Sequence, residues 1–364
     1  MSDPMLPDST VPDPAGPGPG VSGSVAAVSI PPDLSARYAR TSEGRAWLAR
    51  LPGLLQERLA QWHLEVDLAP GTMPWNGHGG LVVPVRRQDG LPAALKIAFP
   101  HDEAKVERHA LALWDGRGAV GLLASDAGSC AMLLERLDAG RTLADLGLDD
   151  AVQVWGGLVR QLGIAPDHRP EWREFGHIAA RAEQWSDDLP ADWEQLGRPF
   201  PRWLLEAALE VCQTRGAVGR RSARDLLVHT DLHFLNILAR PGTAELDGTP
   251  APAAYAAIDP QPMIGEPEFA VAPLLWNRLG ELPAVQAGPA LLRRCHDFST
   301  AAGLDPEVAR QWGVAREVEN ALTYAAHGHP GDLARSLWVA STLAGGTMAD
   351  LPHPHALPEP GQGG

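Results

Sequence analysis

The sequence predicts an α+β protein of two unequal lobes, a small strand-bearing first lobe and a larger helix-rich second. Three observations carry this. Alternating and β-branched residues concentrate between Gly80 and Phe99, a short apolar strand occupies residues 131–135, and from Thr142 to about Arg215 the apolar residues recur at helical spacing. A length of 364 residues with 45% hydrophobic content supports a core in each lobe.

Taken in chain order, residues 1–33 are rich in Pro, Gly, Ser and Asp and predict a flexible tail, because so few large apolar side chains cannot offset the entropy of ordering. In residues 42–63, Trp47, Leu48, Leu51, Leu54, Leu55 and Leu59 mark one or two short helices, with Pro52 and Gly53 interrupting the run. Leu81 to Val85 and Ala93 to Ile97, joined by Gln88-Asp89-Gly90, read as a hairpin. A helix over residues 102–115 and the buried strand at 131–135 complete a first lobe of residues 34–138. The second lobe takes residues 139–351, and residues 352–364 return to a tail composition expected to fray.

Composition removes several function classes. A formal charge of −15 argues against nucleic acid, whose binders carry basic patches, and leaves a small cationic partner as the better fit. Three widely spaced cysteines, Cys130, Cys212 and Cys295, make neither a disulfide framework nor a zinc spacing. No apolar run is long enough for a bilayer and the N-terminus has no signal pattern. The expectation is a cytoplasmic protein, monomer or homodimer, without a membrane partner. Neither a G-x-S-x-G elbow nor an H-E-x-x-H pair is present, which removes the commonest hydrolase schemes.

The strongest chemical signal is Val228-His229-Thr230-Asp231-Leu232-His233-Phe234-Leu235-Asn236-Ile237-Leu238, followed by Ala256-Ala257-Ile258-Asp259-Pro260. Apolar flanks anchor a polar loop between two short strands. Phosphoryl transfer needs a carboxylate to orient and deprotonate a hydroxyl, and oxygen ligands to hold a metal on the phosphates. Asp231 with Asn236 five residues on has the interval of a kinase catalytic loop, and Asp259 supplies a second metal oxygen. Any one of these residues alone would more often cap a turn.

With these segments, Trp114-Asp115-Gly116-Arg117-Gly118-Ala119-Val120, Gly265-Glu266-Pro267 and Val271-Ala272-Pro273-Leu274-Leu275, residues 40–350 resemble the aminoglycoside phosphotransferase-like kinases, in their streptomycin 6-phosphotransferase and hydroxyurea phosphotransferase branch. The resemblance implies a bilobal protein-kinase-like fold, ATP and Mg2+, and phosphorylation of a small-molecule hydroxyl. It makes Asp231 the catalytic base, Asn236 and Asp259 the metal ligands, and Lys96 the contact to the α- and β-phosphates.

Glu107 is the expected partner of Lys96, because Glu103, Glu107, Leu111 and Trp114 share one helix face; Glu103 is the reserve. Asn76-Gly77-His78-Gly79-Gly80 is expected over the triphosphate, with Gly77 and Gly79 allowing backbone N–H groups to approach phosphate oxygens. Val82 stands where a third glycine is usual in protein kinases. The segment from Glu135 to Leu137 is the expected hinge, reading adenine through its backbone. His229 and His233 are read as loop-shaping, and Thr230 and Leu235 depart from glycines common in the family. Glu266 and Glu268 are nominated to bind ammonium or guanidinium groups of an aminocyclitol acceptor such as streptomycin. Hydroxyurea or another metabolite is the alternative acceptor, and a nucleotide-binding regulator without turnover is the rival class.

Overall fold

The computed structural model describes residues 28–77, 79–216, 224–242 and 254–358. Of the two expected tails, residues 1–27 and 359–364 lie outside the described residues, as does His78 of the glycine segment.

The first lobe opens with α1 (Pro32–Tyr38) and α2 (Ser42–Gln61). The Thr41 hydroxyl caps α2 by accepting from Gly44 N at 3.0 Å. In place of one or two short helices, α2 runs unbroken for 20 residues through Pro52. An interior proline costs about 3 kcal/mol. Burying Trp47, Leu51, Leu55 and Leu59 along one stripe contributes about 1.5–3 kcal/mol each, so packing outweighs the break while Pro52 itself stays exposed.

A six-stranded antiparallel sheet lies against that stripe: β1 (Glu65–Val66), β2 (Trp75–Asn76), β3 (Gly80–Arg86), β4 (Pro92–Ala98), then, after α3 (Asp102–Trp114), β5 (Leu122–Asp126) and β6 (Ala131–Glu135). The order is β1-β3-β4-β6-β5, with β2 paired to β3. The hairpin closes through Gly90, whose φ of 79° is open to glycine. Lys96 is not on an edge. It sits in central β4, opposite Val82 on one side and Met132 on the other. Strand alternation sends Leu95 and Ile97 into the cluster with α2 and turns Lys96 toward α3.

β7 (Asp138–Thr142) leads into the second lobe, which continues as α4 (Leu148–Leu162), β8 (Gly176–His177), α5 (Ile178–Gln195), α6 (Arg202–Arg215), β9 (Leu226–His229), β10 (Ile237–Ala239), β11 (Tyr255–Ala257), β12 (Pro262–Gly265), α7 (Ala272–Leu275), α8 (Ala287–Ala302), α9 (Pro306–His327) and α10 (Pro330–Leu343). Two three-stranded sheets, β11-β10-β7 and β8-β12-β9, set the loops after β9 and β11 side by side. Beneath them the buried Trp155 indole donates to Leu232 O at 3.0 Å, fixing the first loop to the helical core.

The second tail is ordered further than its composition suggests. His355 donates to Leu282 O at 2.5 Å, His353 to Ala284 O at 3.1 Å, and the Arg335 guanidinium to Pro358 O, while Leu357 is buried. Two buried apolar side chains, Pro354 and Leu357, and three hydrogen bonds dock residues 353–358 on the second lobe. The three cysteines are free and buried, and among the described residues no helix is long and apolar enough to cross a membrane.

Candidate active site

Lys96 is the centre of a buried charge cluster. Its ammonium donates to both oxygens of Glu107 at 2.7 Å and to Asp259 Oδ1 at 2.6 Å. α3 delivers Glu107 inward at 4% exposure, whereas Glu103 one turn earlier is exposed, so the first-choice partner is the one that pairs. Burial alone would lower the lysine pKa, but the Asp259 and Glu107 carboxylates outweigh it and raise it. Burial pushes Glu107 up, to about 7, against the pull of Lys96. Asp259 is held low because Lys96 more than offsets its burial. Its backbone takes φ 52°, a left-handed conformation that Asp tolerates better than most residues and that aims the carboxylate back at Lys96.

The loop after β9 brings Asp231 and Asn236 together. Asn236 Nδ2 donates to Asp231 O at 2.9 Å and to Asp231 Oδ2 at 3.3 Å. Those two bonds orient the amide, leaving its oxygen as the metal-competent atom. Ile258 N donates to Asn236 O at 2.9 Å, so the Asp231 loop and the Asp259 loop are stitched directly. His229 Nε2 donates to Ile258 O at 2.9 Å while its Nδ1 accepts from Asp231 N at 3.3 Å. The buried ring stacks near Trp114, and burial depresses its pKa to about 4. His233 Nδ1 accepts from Leu235 N. Both histidines therefore shape the loop. Thr230 uses its N–H and its hydroxyl on Gln261 O, at 3.2 and 2.7 Å, and Leu235 is 57% exposed.

The glycine segment reaches the same place from the first lobe. A Cβ on Gly77 would stand 3.0 Å from Asp259 Oδ2, and one on Gly79 3.3 Å from His101 Nε2. Arg37 donates to Gly77 O at 3.0 Å, fixing the loop from behind. At the hinge, the Glu135 carboxylate is committed to the protein: it pairs with Arg240 and accepts from Gly121 N at 3.1 Å, and Glu135 N donates to Gly121 O at 2.8 Å. Arg240 also donates to Gly116 O and Ala119 O, both at 3.0 Å. The Trp114 to Val120 segment is thereby part of the clasp between lobes. Leu137 is buried just after it.

Glu266 and Glu268, the residues nominated for acceptor cations, both pair with donors of the protein itself. Glu266 accepts from Arg215 at 3.1 Å and from the Trp312 indole at 2.8 Å. Glu268, 1% exposed, accepts from Arg224 at 2.5 Å and from Asp305 N at 3.3 Å. Each carboxylate accepts two internal hydrogen bonds, one on each oxygen of Glu266 and both on Oε1 of Glu268. Both carboxylates fasten the segment after β12 to α6 and α9. What sequence reasoning missed is Arg316 on α9, whose guanidinium lies 3.8 Å from Asp231 Oδ1 and donates to Thr230 O. Nothing in the local pattern distinguishes it from Arg310, the other arginine of that helix.

The donor set suits magnesium. It takes few protein oxygens beside phosphate and water, and one carboxylate with one amide oxygen match that demand. Among the described residues no group of three His, Cys, Asp or Glu side chains gathers as for a protein-enclosed metal.

Comparison with known proteins agrees with this geometry. Residues 61–328 match the family described as aminoglycoside/hydroxyurea antibiotic resistance kinase. Streptomycin 6-kinase of Streptomyces glaucescens is 38% identical over 300 residues, 81% of this chain and 90% of that protein. Hydroxyurea phosphotransferase of Kitasatospora aureofaciens is 36% identical over 329 residues, 88% of this chain and 87% of that protein. Among solved structures, a thermostable mutant of aminoglycoside phosphotransferase APH(4)-Ia in its apo form aligns with TM-score 0.54 at 16% identity, over 80% of this chain and 97% of that one. Its likeness is one of fold, and the expected bilobal, protein-kinase-like architecture is the one observed. By match length and identity together, the chain belongs to the aminoglycoside/hydroxyurea antibiotic resistance kinase family.

Proposed function

We propose that this kinase transfers the γ-phosphoryl group of ATP to a hydroxyl of a streptomycin-like aminocyclitol, inactivating the antibiotic in the cytoplasm. The observation that carries the reading is the contact of Lys96 with Glu107 and Asp259, and of Asn236 with Asp231, in two loops joined where Ile258 N donates to Asn236 O. Streptomycin 6-kinases from two Streptomyces species, 38% and 35% identical, support the acceptor class. The net charge of −15 favours approach of a cation.

In this reading Asn236 and Asp259 hold Mg2+, which when bound supplies positive charge at the phosphates. Lys96 donates to α- and β-phosphate oxygens and Glu107 keeps its ammonium aimed. The glycine segment with Gly77 and Gly79 covers the phosphates. At the hinge, the side chain and N–H of Glu135 are engaged within the protein, and the remaining backbone groups from Glu135 to Leu137 read adenine. Asp231 accepts the acceptor hydroxyl proton as the new oxygen–phosphorus bond forms. The bond from phosphorus to the β,γ-bridging oxygen breaks, and its electron pair leaves with ADP. Asp231 then releases the proton to solvent, and no phosphoenzyme forms.

The match to a hydroxyurea phosphotransferase at 36% identity favours one second reading, in which hydroxyurea is the acceptor. Purified enzyme with ATP and Mg2+, offered streptomycin or hydroxyurea separately and followed by ADP release and product mass, separates the two. ADP release with neither acceptor above the rate in their absence would reject both.

A further inference from the structure

Glu266 and Glu268 both bond to α9 or its N-cap. Glu266 takes the Trp312 indole at 2.8 Å, Glu268 takes the backbone N of Asp305 at the start of α9, and Phe269 packs edge-on to Trp312 with ring centroids 5.2 Å apart. α9 is thus pinned against the segment after β12, and Arg316, one turn past Trp312, is brought over Phe269 with its guanidinium carbon 5.3 Å from the ring centre. Stacking on that face and donation to Thr230 O fix the guanidinium plane. Its side chain retains only 15% exposure.

The consequence falls on Asp231. The two oxygens of its carboxylate have different neighbours: Oδ2 accepts from Asn236 Nδ2 at 3.3 Å, with His233 Nε2 at 3.8 Å, and Oδ1 faces Arg316 Nη2 at 3.8 Å. At 3.8 Å the guanidinium attracts Oδ1 without a direct hydrogen bond, so the lone pairs of Oδ1 stay open to an incoming hydroxyl. The peptide before Asp231 is held from both ends, its carbonyl by Arg316 and the Thr230 N–H and hydroxyl by Gln261 O. A cation arriving from 86 residues along the chain therefore sets the orientation of the base.

We infer that Arg316 is a positioning residue for phosphoryl transfer, holding Asp231 so that Oδ1 meets the acceptor hydroxyl while Oδ2 stays with Asn236. This rests on the reading of Asp231 as the base. Arg316 touches neither phosphate nor acceptor; it acts through Asp231 and the Thr230 carbonyl.

The test compares wild type, Arg316→Ala, Arg316→Lys and Asp231→Ala with ATP, Mg2+ and streptomycin. Wild-type turnover and its loss in Asp231→Ala decide the functional reading by themselves. Misplacing a reacting group by about 1 Å costs on the order of 10²-fold, so Arg316→Ala should lose about that factor in kcat with KM for ATP changed less than about twofold. Guanidinium chloride at millimolar concentration should restore part of the Arg316→Ala rate and leave Asp231→Ala inactive. Arg316→Lys, which keeps the charge and the fold if Ala does not, should fall between. If streptomycin is not phosphorylated, the same ratios are read in the slow transfer to water with ATP alone. An Arg316→Ala enzyme within twofold of wild type, or one whose loss is shared equally by KM for ATP and unrelieved by guanidinium, overturns the inference.

Discussion

Lys96 Nζ and Asp259 Oδ1 stand 2.6 Å apart although 163 residues separate them in the chain. The contact joins the sheet of the first lobe to the loop after β11 in the second, and Glu107 closes it from α3. A buried lysine between two carboxylates is stable only as a set, since removing one member strands the others.

Lys96→Met should therefore fail in two separable ways. Loss of a preorganised donor to the phosphates predicts a fall of about 10²- to 10³-fold in kcat. Stranding Glu107 predicts a lower melting temperature, with breaking a buried pair costing about 3–5 kcal/mol. Adding Glu107→Gln to Lys96→Met should recover much of the stability and none of the activity, because a neutral amide tolerates that site. Thermal melts and turnover on the single and double variants check this.

Asp231→Ala should lose about 10²- to 10⁴-fold in kcat as a general base is removed. Its melting temperature should change little, because the backbone of the loop is held by Trp155, His229 and Gln261 rather than by the carboxylate. Steady-state kinetics with a matched melt separates this from unfolding.

The loop residues were legible because polar side chains interrupted apolar strands at kinase spacing, and Lys96 because a lysine flanked by Leu95 and Ile97 demanded a partner. The continuity of α2 was not, since Pro52 is a local signal and the stripe that overrides it is tertiary. Arg316 was hidden for the same reason: on α9 it has the pattern of any helical arginine, and its role comes from a loop 86 residues earlier. The internal partners of Glu266 and Glu268 were not legible, because only the fold brings Arg215, Trp312 and Arg224 to them.

His229 makes stability depend on pH in the acid range. Buried and neutral, it has a folded pKa near 4 against an ordinary value of 6.5. A depressed histidine contributes its stability above the unfolded value and loses it as pH falls from 6.5 toward 4, a span of roughly 3 kcal/mol. His229→Gln, which keeps one donor for Ile258 O, should start less stable at pH 7 and show a flatter decline. Denaturant melts between pH 7 and pH 4 test the slope.

Glu317 produces the opposite slope. It is fully buried on α9, with Oε1 accepting from Asn320 at 3.2 Å. Burial raises its pKa to about 7 from 4.5, so the folded state prefers the protonated acid. Stability is fully present below pH 4.5 and is lost as pH rises through 7. Glu317→Gln should raise the melting temperature at pH 8 and leave it nearly unchanged at pH 4. An equal shift at both values would show that packing rather than ionisation governs the site.

Glu266 offers the sharpest contrast between recognition and support. If its carboxylate bound the acceptor, Glu266→Gln would raise KM for streptomycin selectively. The geometry predicts otherwise: the amide oxygen can still accept from the Trp312 indole, but the charge facing Arg215 is lost. Arg215 also donates to Gln311, so it keeps a partner and the loss should be about 1–2 kcal/mol, in the range of a charged hydrogen bond. KM for streptomycin should stay within about twofold, and kcat should fall modestly because α9, which carries Arg316, is held less firmly. Combining Glu266→Gln with Arg316→Ala should then cost little more kcat than Arg316→Ala alone, since both act on Asp231 through one helix.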